Sequence, residues 1–370
     1  MGRWNNINKV VSGLMVVVVV MMVMCVMEVK SQQQPRRVTA LFVFGDSLVD
    51  VGNNNFLNTL AKANYFPYGI DFSGGPSGRF SNGLNIIDFV GNMLGVPAGP
   101  VYANPTTRGT AILNGVNYAS AAGGILDETG RHYGGRFSLN QQVLNFGDTL
   151  NQLRTMINET ELSRYLAKSI AILVFGSNDY INNYLLPTMY NSSYVYNPQQ
   201  FGTLLLNNYA RQILALYSVG LRKFFIAGVG PLGCIPNQRA NVPTGRCADG
   251  VNQILGTFNE GLRAMVEQFN KNHPDAMFTY GNTYAVFGDV LNNPAAYAFT
   301  VIDRGCCGIG RNQGQITCLP LEAPCPNRNQ YAFWDAFHPS QAAAYVFSWR
   351  AVNGPPSDSY PINIQQMALL

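Results

Sequence analysis

The sequence predicts an α/β protein in which helices cover both faces of a parallel sheet. Three observations carry that expectation. Short, unbroken apolar runs recur at Leu41–Phe44, Ile170–Phe175 and Phe224–Ala227, and a strand buried on both faces reads as a continuous apolar run rather than an alternating one. Amphipathic segments lie between or after them. The clearest is Val251–Asn272, where Val251, Ile254, Leu255, Phe258, Leu262, Met265, Val266 and Phe269 share one helix face. Finally, the runs pass almost directly into glycine, at Gly45-Asp46-Ser47, Gly176-Ser177-Asn178-Asp179 and Gly228-Val229-Gly230. In a parallel sheet such ends open onto one edge, where ligands bind.

At the start of the chain, Arg3 and Lys9 precede the apolar run Leu14–Met27. This is the layout of a secretory signal peptide, with an apolar stretch short for spanning a bilayer. A signal anchor, lengthened by Val10 and Val11, is the alternative. Cleavage is expected between Met27 and Gln34, so residues 1–31 read as the leader. Residues 32–370 read as one domain, since no repeat, low-complexity block or linker divides them. The chain has 370 residues, 47% hydrophobic and 12% charged, ample for a large core. Its net charge is +4 with no Lys/Arg-rich run, so a nucleic-acid partner has no electrostatic footprint.

The strand at Leu41–Phe44 raises the main question, because it delivers an aspartate and a serine to the binding edge. A serine hydroxyl needs a base to become a nucleophile, and the chain holds only three histidines. His132 sits in the glycine-rich "GRHYGG", where simple exposure accounts for it. His273 follows the long helix, where the dipole favours a cation, and Pro274 ends that helix. His338, in "FWDAFHPS", has Asp335 three residues before it, close enough to fix its tautomer and stabilise its cation. Ser47, His338 and Asp335 are therefore the candidate nucleophile, base and orienting acid. The G-x-S-x-G elbow is absent, since Val49 stands where the second glycine belongs.

Oxyanion charge needs donors already in place. The candidates are the Ser47 N–H, the Asn178 side chain in "FGSND" and a glycine N–H from "NYASAAGG". "GVGPLG", Gly228–Gly233, matches a dinucleotide fingerprint by letters only. Pro231 and Pro236 bracket Cys234 and disfavour the helix start that such a site requires, so a turn pinned by a disulfide is expected.

Of seven cysteines, Cys25 lies in the leader, leaving an even set: Cys234, Cys247, Cys306, Cys307, Cys318 and Cys325. Cys234 and Cys247 would close a short loop, and the last four would pair among themselves, in a connectivity that spacing leaves open. A zinc cluster is disfavoured by the adjacent Cys306-Cys307 and the lack of C-x₂-C pairs. Asn158-Glu-Thr and Asn191-Ser-Ser are sequons that would accept glycans in an exported chain.

These residues resemble a plant-type GDSL esterase/lipase of the SGNH hydrolase superfamily. The resemblance rests on "FVFGDSLVDVGNNN", "FPYGIDF", "GPSGRFSNG", "GVNYASAAGGI", "FGSNDY", "GVGPLGCIP" and "FWDAFHPS", in that order. It implies a three-layer α/β/α sandwich with a central parallel sheet, SGNH/flavodoxin-like. It implies Ser47 as nucleophile, His338 as base and Asp335 as its orienting partner. Ser47, Gly123 and Asn178 would form the oxyanion hole, with Gly124 a near competitor because the family commonly has "ASGGAG" where this chain has "ASAAGG". The implied activity is hydrolysis of acyl esters by a secreted enzyme, extracellular (apoplastic) or in the vacuole or endomembrane lumen, with no metal or cofactor. Two other readings stay open: an acyltransferase using the same acyl-enzyme, and a non-catalytic secreted binding protein on this fold. The "FPYGIDFSGGPSGRFSNG" stretch reads as a loop over the acyl site or, equally, as plain surface packing. Oligomeric state leaves no sequence trace.

Overall fold

The computed structural model describes residues 38–370, so the leader expected at 1–31 lies outside the described residues. The three apolar runs are strands: β1 Leu41–Gly45, β2 Ile170–Val174 and β3 Lys223–Ala227. A fourth, β4 Met277–Gly281, joins them. The main sheet has the order β1-β2-β3-β4-β7, where β7 is the two-residue strand Ser359–Tyr360. The first four strands are parallel, and β7 pairs with β4 antiparallel. A separate parallel pair is formed by β5 Val301–Gly305 and β6 Tyr331–Phe333.

Side chains alternate across the sheet and fill two cores. Phe42, Phe44, Leu173, Phe224, Ile226 and Phe278 share one core with α2 Leu139–Met156, α3 Glu159–Lys168, α4 Pro198–Ser218 and α5 Asp249–Asn272. Leu41, Val43, Ile170, Ile172 and Phe225 share the other with α1 Ile86–Leu94 and α7 Gln341–Asn353. Helix α6, Thr283–Asn292, packs in a third cluster beside Phe333. The result is the expected three-layer α/β/α arrangement. Helix α5 matches the amphipathic run and ends at Asn272, where the His273 N–H caps the Phe269 carbonyl.

Register matters most for function. Gly45 pairs with Val174, Val174 with Ala227, and Ala227 with Gly281. The four carboxyl ends are therefore level, and the loops leaving them start from one edge.

Candidate active site

Gly45 ends β1 where a Cβ would collide with Val49. The chain then turns tightly: the Asp46 carbonyl accepts the N–H groups of Val49 (3.2 Å) and Asp50 (3.0 Å). The Asp46 carboxylate accepts the Leu48 N–H at 3.0 Å. Asp46 is thus the hydrogen-bonded turn residue, and Ser47 projects from the bend. The Ser47 N–H has no hydrogen-bond partner among the described residues. Burial of Asp46 pushes its carboxyl up to about 7, only partly offset by the Leu48 N–H and the His338 charge.

His338 reaches this turn from the far end of the chain. Its Nε2 lies 2.7 Å from Ser47 Oγ and its Nδ1 2.9 Å from both oxygens of Asp335. Facing a carboxylate, Nδ1 carries the proton, which leaves Nε2 to accept from the serine. Asp335 is fully buried, and its Oδ1 also accepts the N–H groups of Phe337 and His338, each at 2.8 Å. Burial alone would raise the Asp335 carboxyl. The His338 charge and the hydrogen bonds from His338, Tyr68 and Phe337 outweigh it and hold the carboxyl below its ordinary value. The Phe80 ring, 4.9 Å from the imidazole between centroids, walls the histidine.

The opposite wall comes from "NYASAAGG", fastened by the "DVGNNN" run that follows the serine. Asn53 Nδ2 donates to the carbonyls of Asn117 (2.9 Å) and Ala119 (2.8 Å). Asn54 Nδ2 donates to Ala61 O (2.9 Å) and Ala121 O (3.0 Å). The Ala121 N–H reaches the Asp50 carboxylate at 3.1 Å. Asn178 stands at the first turn after β2, beside Asp179, whose carboxylate accepts the N–H groups of Ile125 (2.8 Å) and Leu126 (3.1 Å). Asn178 Nδ2 donates to the Gly123 carbonyl at 3.0 Å, and its Oδ1 accepts from Asn182 at 2.7 Å.

Here the structure departs from the expected glycine. The Gly123 N–H is already bonded to the Ser120 carbonyl at 3.0 Å, and neither Gly123 nor Gly124 lines the cleft. A Cβ at Gly123 would meet the carbonyls of Phe137 and Ser120, and one at Gly124 would meet Thr129 and Asp179. Both glycines are accounted for by close packing. The residue that faces the cleft with a free N–H is Ala122, held in a left-handed conformation (φ 64°). Sequence reasoning missed it because a backbone donor carries no residue type.

Ser47 and His338 open into a cleft whose walls are mostly apolar. Tyr68 and Phe80 of the "FPYG…SNG" stretch line it, joined by Tyr65, Leu60, Tyr133, Phe287 and Phe347. "GVGPLG" forms a turn pinned by the Cys234–Cys247 disulfide. Gly230, Pro231 and Leu232 also line the cleft. One part of that expectation is corrected: Pro236 opens the short helix Pro236–Ala240 from its first position, where its missing N–H costs nothing. Cys306–Cys325 and Cys307–Cys318 are the other disulfides. His132 is half-buried rather than exposed, its Nδ1 2.9 Å from the Tyr190 hydroxyl. His273 caps α5 and lies 4.5 Å from the Tyr217 ring between centroids. Asn158 and Asn191 are both exposed. Among the described residues, no three His, Cys, Asp or Glu side chains cluster as ligands for a metal ion would.

The sequence model of the GDSL-like lipase/acylhydrolase family matches residues 41–348. Three Arabidopsis thaliana proteins named as GDSL esterase/lipases are similar over nearly the whole length. One is 64% identical, covering 90% of each chain. A second is 53% identical over 90% of this chain and 88% of its own. A third is 49% identical over 90% of this chain and 86% of its own. With the three-layer fold and the level strand ends already established, this chain belongs to the GDSL-like lipase/acylhydrolase family.

Proposed function

We propose that this ester hydrolase works through an acyl-enzyme on Ser47. The observation that carries the reading is the hydrogen-bonded series Ser47 Oγ–His338–Asp335, at 2.7 and 2.9 Å, on the wall of an apolar cleft. His338 Nε2 takes the hydroxyl proton as Ser47 Oγ attacks the ester carbonyl. The carbonyl π pair moves to oxygen, and that oxyanion faces the N–H groups of Ser47 and Ala122 and the free Asn178 amide hydrogen. Collapse expels the alcohol, which takes the proton from His338. Water then repeats the sequence on the acyl-enzyme and releases the acid. Ala122 replaces the expected Gly123 as second backbone donor because its N–H is free and on the wall.

The apolar walls suit an acyl chain, and carboxylic esters with an aliphatic acyl group are the proposed substrate class. Three disulfides fit an oxidising compartment, and among the described residues no helix is long and apolar enough to cross a membrane. The disulfides support a secreted enzyme whose 32–370 segment acts as one domain. The test is hydrolysis of p-nitrophenyl esters from acetate to palmitate by the protein and its Ser47→Ala variant. Turnover is expected to fall about 10⁴-fold or more in the variant, and equal turnover by both would remove the serine mechanism. Adding an alcohol and analysing the products separates hydrolysis from acyl transfer.

A further inference from the structure

Asp335 Oδ2 has a second partner that the serine mechanism does not require. The Tyr68 hydroxyl donates to it at 2.5 Å. We propose that Tyr68 is a positioning residue for the Ser47 chemistry, setting through Asp335 how firmly His338 holds its proton. This rests on the reading of Ser47, His338 and Asp335 given above.

Asp335 is a fully buried carboxylate. Removed from water, its lone pairs must be filled by the protein. Oδ1 has three donors: two backbone N–H groups at 2.8 Å and the imidazole Nδ1. Oδ2 has two, the same Nδ1 at 2.9 Å and Tyr68. The phenol is therefore the one donor on Oδ2 that is not the catalytic base. Burial first, and then the Asp335 charge, hold the phenol proton in place well beyond the ordinary range, so Tyr68 acts only as a donor here.

Tyr68 is itself held. Its hydroxyl lies 3.2 Å from Thr317 Oγ1; with the phenol proton committed to Asp335, Thr317 donates. Thr317 precedes Cys318, which is bonded to Cys307, and the Cys307 N–H donates to the Trp334 carbonyl at 2.8 Å. The Tyr68 ring makes edge contacts with Phe80 at 5.8 Å and Trp334 at 6.1 Å. The series Thr317–Tyr68–Asp335–His338–Ser47 thus runs from a disulfide-fixed loop to the nucleophile. In such a series each donor polarises the next. Without the phenol proton, more carboxylate charge faces the imidazole and favours its cation, while Asp46, the other carboxyl acting on it, is the same in both proteins.

The experiment compares wild type with Tyr68→Phe and Thr317→Val, each checked by thermal melting. For Tyr68→Phe on p-nitrophenyl acetate, kcat is expected to fall about 10- to 100-fold, the loss of one hydrogen bond to a charged group, with KM unchanged, because the ring and its contacts remain. The acid limb of kcat/KM is expected to move to higher pH, and Thr317→Val to do the same to a smaller degree. The downfield proton resonance of His338 Nδ1–H should shift in Tyr68→Phe, a readout that needs no turnover. If wild type lacks Ser47-dependent turnover, the serine reading fails, while the resonance still tests Tyr68. An unmoved acid limb and unmoved resonance in a folded variant would overturn the proposal, whether or not kcat falls. If Tyr68→Phe does not fold, an acid limb unmoved in Thr317→Val overturns it.

Discussion

Ala122 and Gly123 are neighbours with opposite needs. Ala122 occupies left-handed backbone space (φ 64°), which costs an L-residue about 1 kcal/mol or more. Ala122→Gly keeps the N–H and relieves that cost. It is expected to retain esterase activity and gain about 1 kcal/mol in urea unfolding. Gly123→Ala drives a methyl into the Phe137 carbonyl and is expected to lose several-fold more stability than Ala122→Gly gains. Reversed results would overturn the reading of strain at Ala122 and close packing at Gly123. The pair also explains what was legible at this scale. Ser47, Asp335 and His338 could be read because their chemistry lives in their side chains. The second oxyanion donor was sought among glycines, but Gly123 and Gly124 sit where the chain crowds, and the free N–H on the cleft wall belongs to Ala122.

Among elements, the run after the nucleophile is the most heavily employed. Asn54 is buried, donates to Ala61 and Ala121, and accepts from Ser120 Oγ at 2.5 Å. Its side chain substitutes for strand pairing between two irregular segments. Asn54→Ala would leave several buried groups without partners and is expected to cost about 2–3 kcal/mol. It should lower kcat more than it raises KM, since Ala121–Ala122 loses its tether. Asn55→Ala, whose amide bonds only Ser77 O at 2.8 Å from a half-buried position, should cost less in both. Strands β1, β2 and β3 were legible because burial on two faces demands continuous apolar residues. Strand β4 was not: Thr279 interrupts its run, and its buried hydroxyl lacks a partner. The two residues of β7 carry no pattern at all. Pro236 misled because proline obstructs a helix interior but suits its first turn.

Across the whole molecule, burial sets an unusual pH balance at the sheet edge. It pushes the Asp46 carboxyl up to about 7 and those of Asp50 and Asp179 to about 6. For such acids the fold favours the protonated form. Their contribution to stability is complete below the ordinary value of 3.8 and is lost as pH rises through 6 to 7. Asp335 works the other way: its carboxyl is lowered, so its contribution is present above 3.8 and lost as pH falls. Stability is therefore expected to peak at about pH 4, where both contributions are present, and to decline until about pH 7. Asp46→Asn should flatten that decline in a series of melting temperatures, because the amide still accepts from Leu48 without a proton to lose. A wild-type curve that climbs steadily from pH 5 to 8 would refute the balance.

The serine and the histidine that meet at 2.7 Å are 291 positions apart. A ribosome extends the chain from its N-terminus, so Ser47 is made 291 residues before His338. A chain interrupted between the two carries the hydroxyl without the imidazole that meets it in the fold, and under the proposed mechanism such a product has a nucleophile with no base.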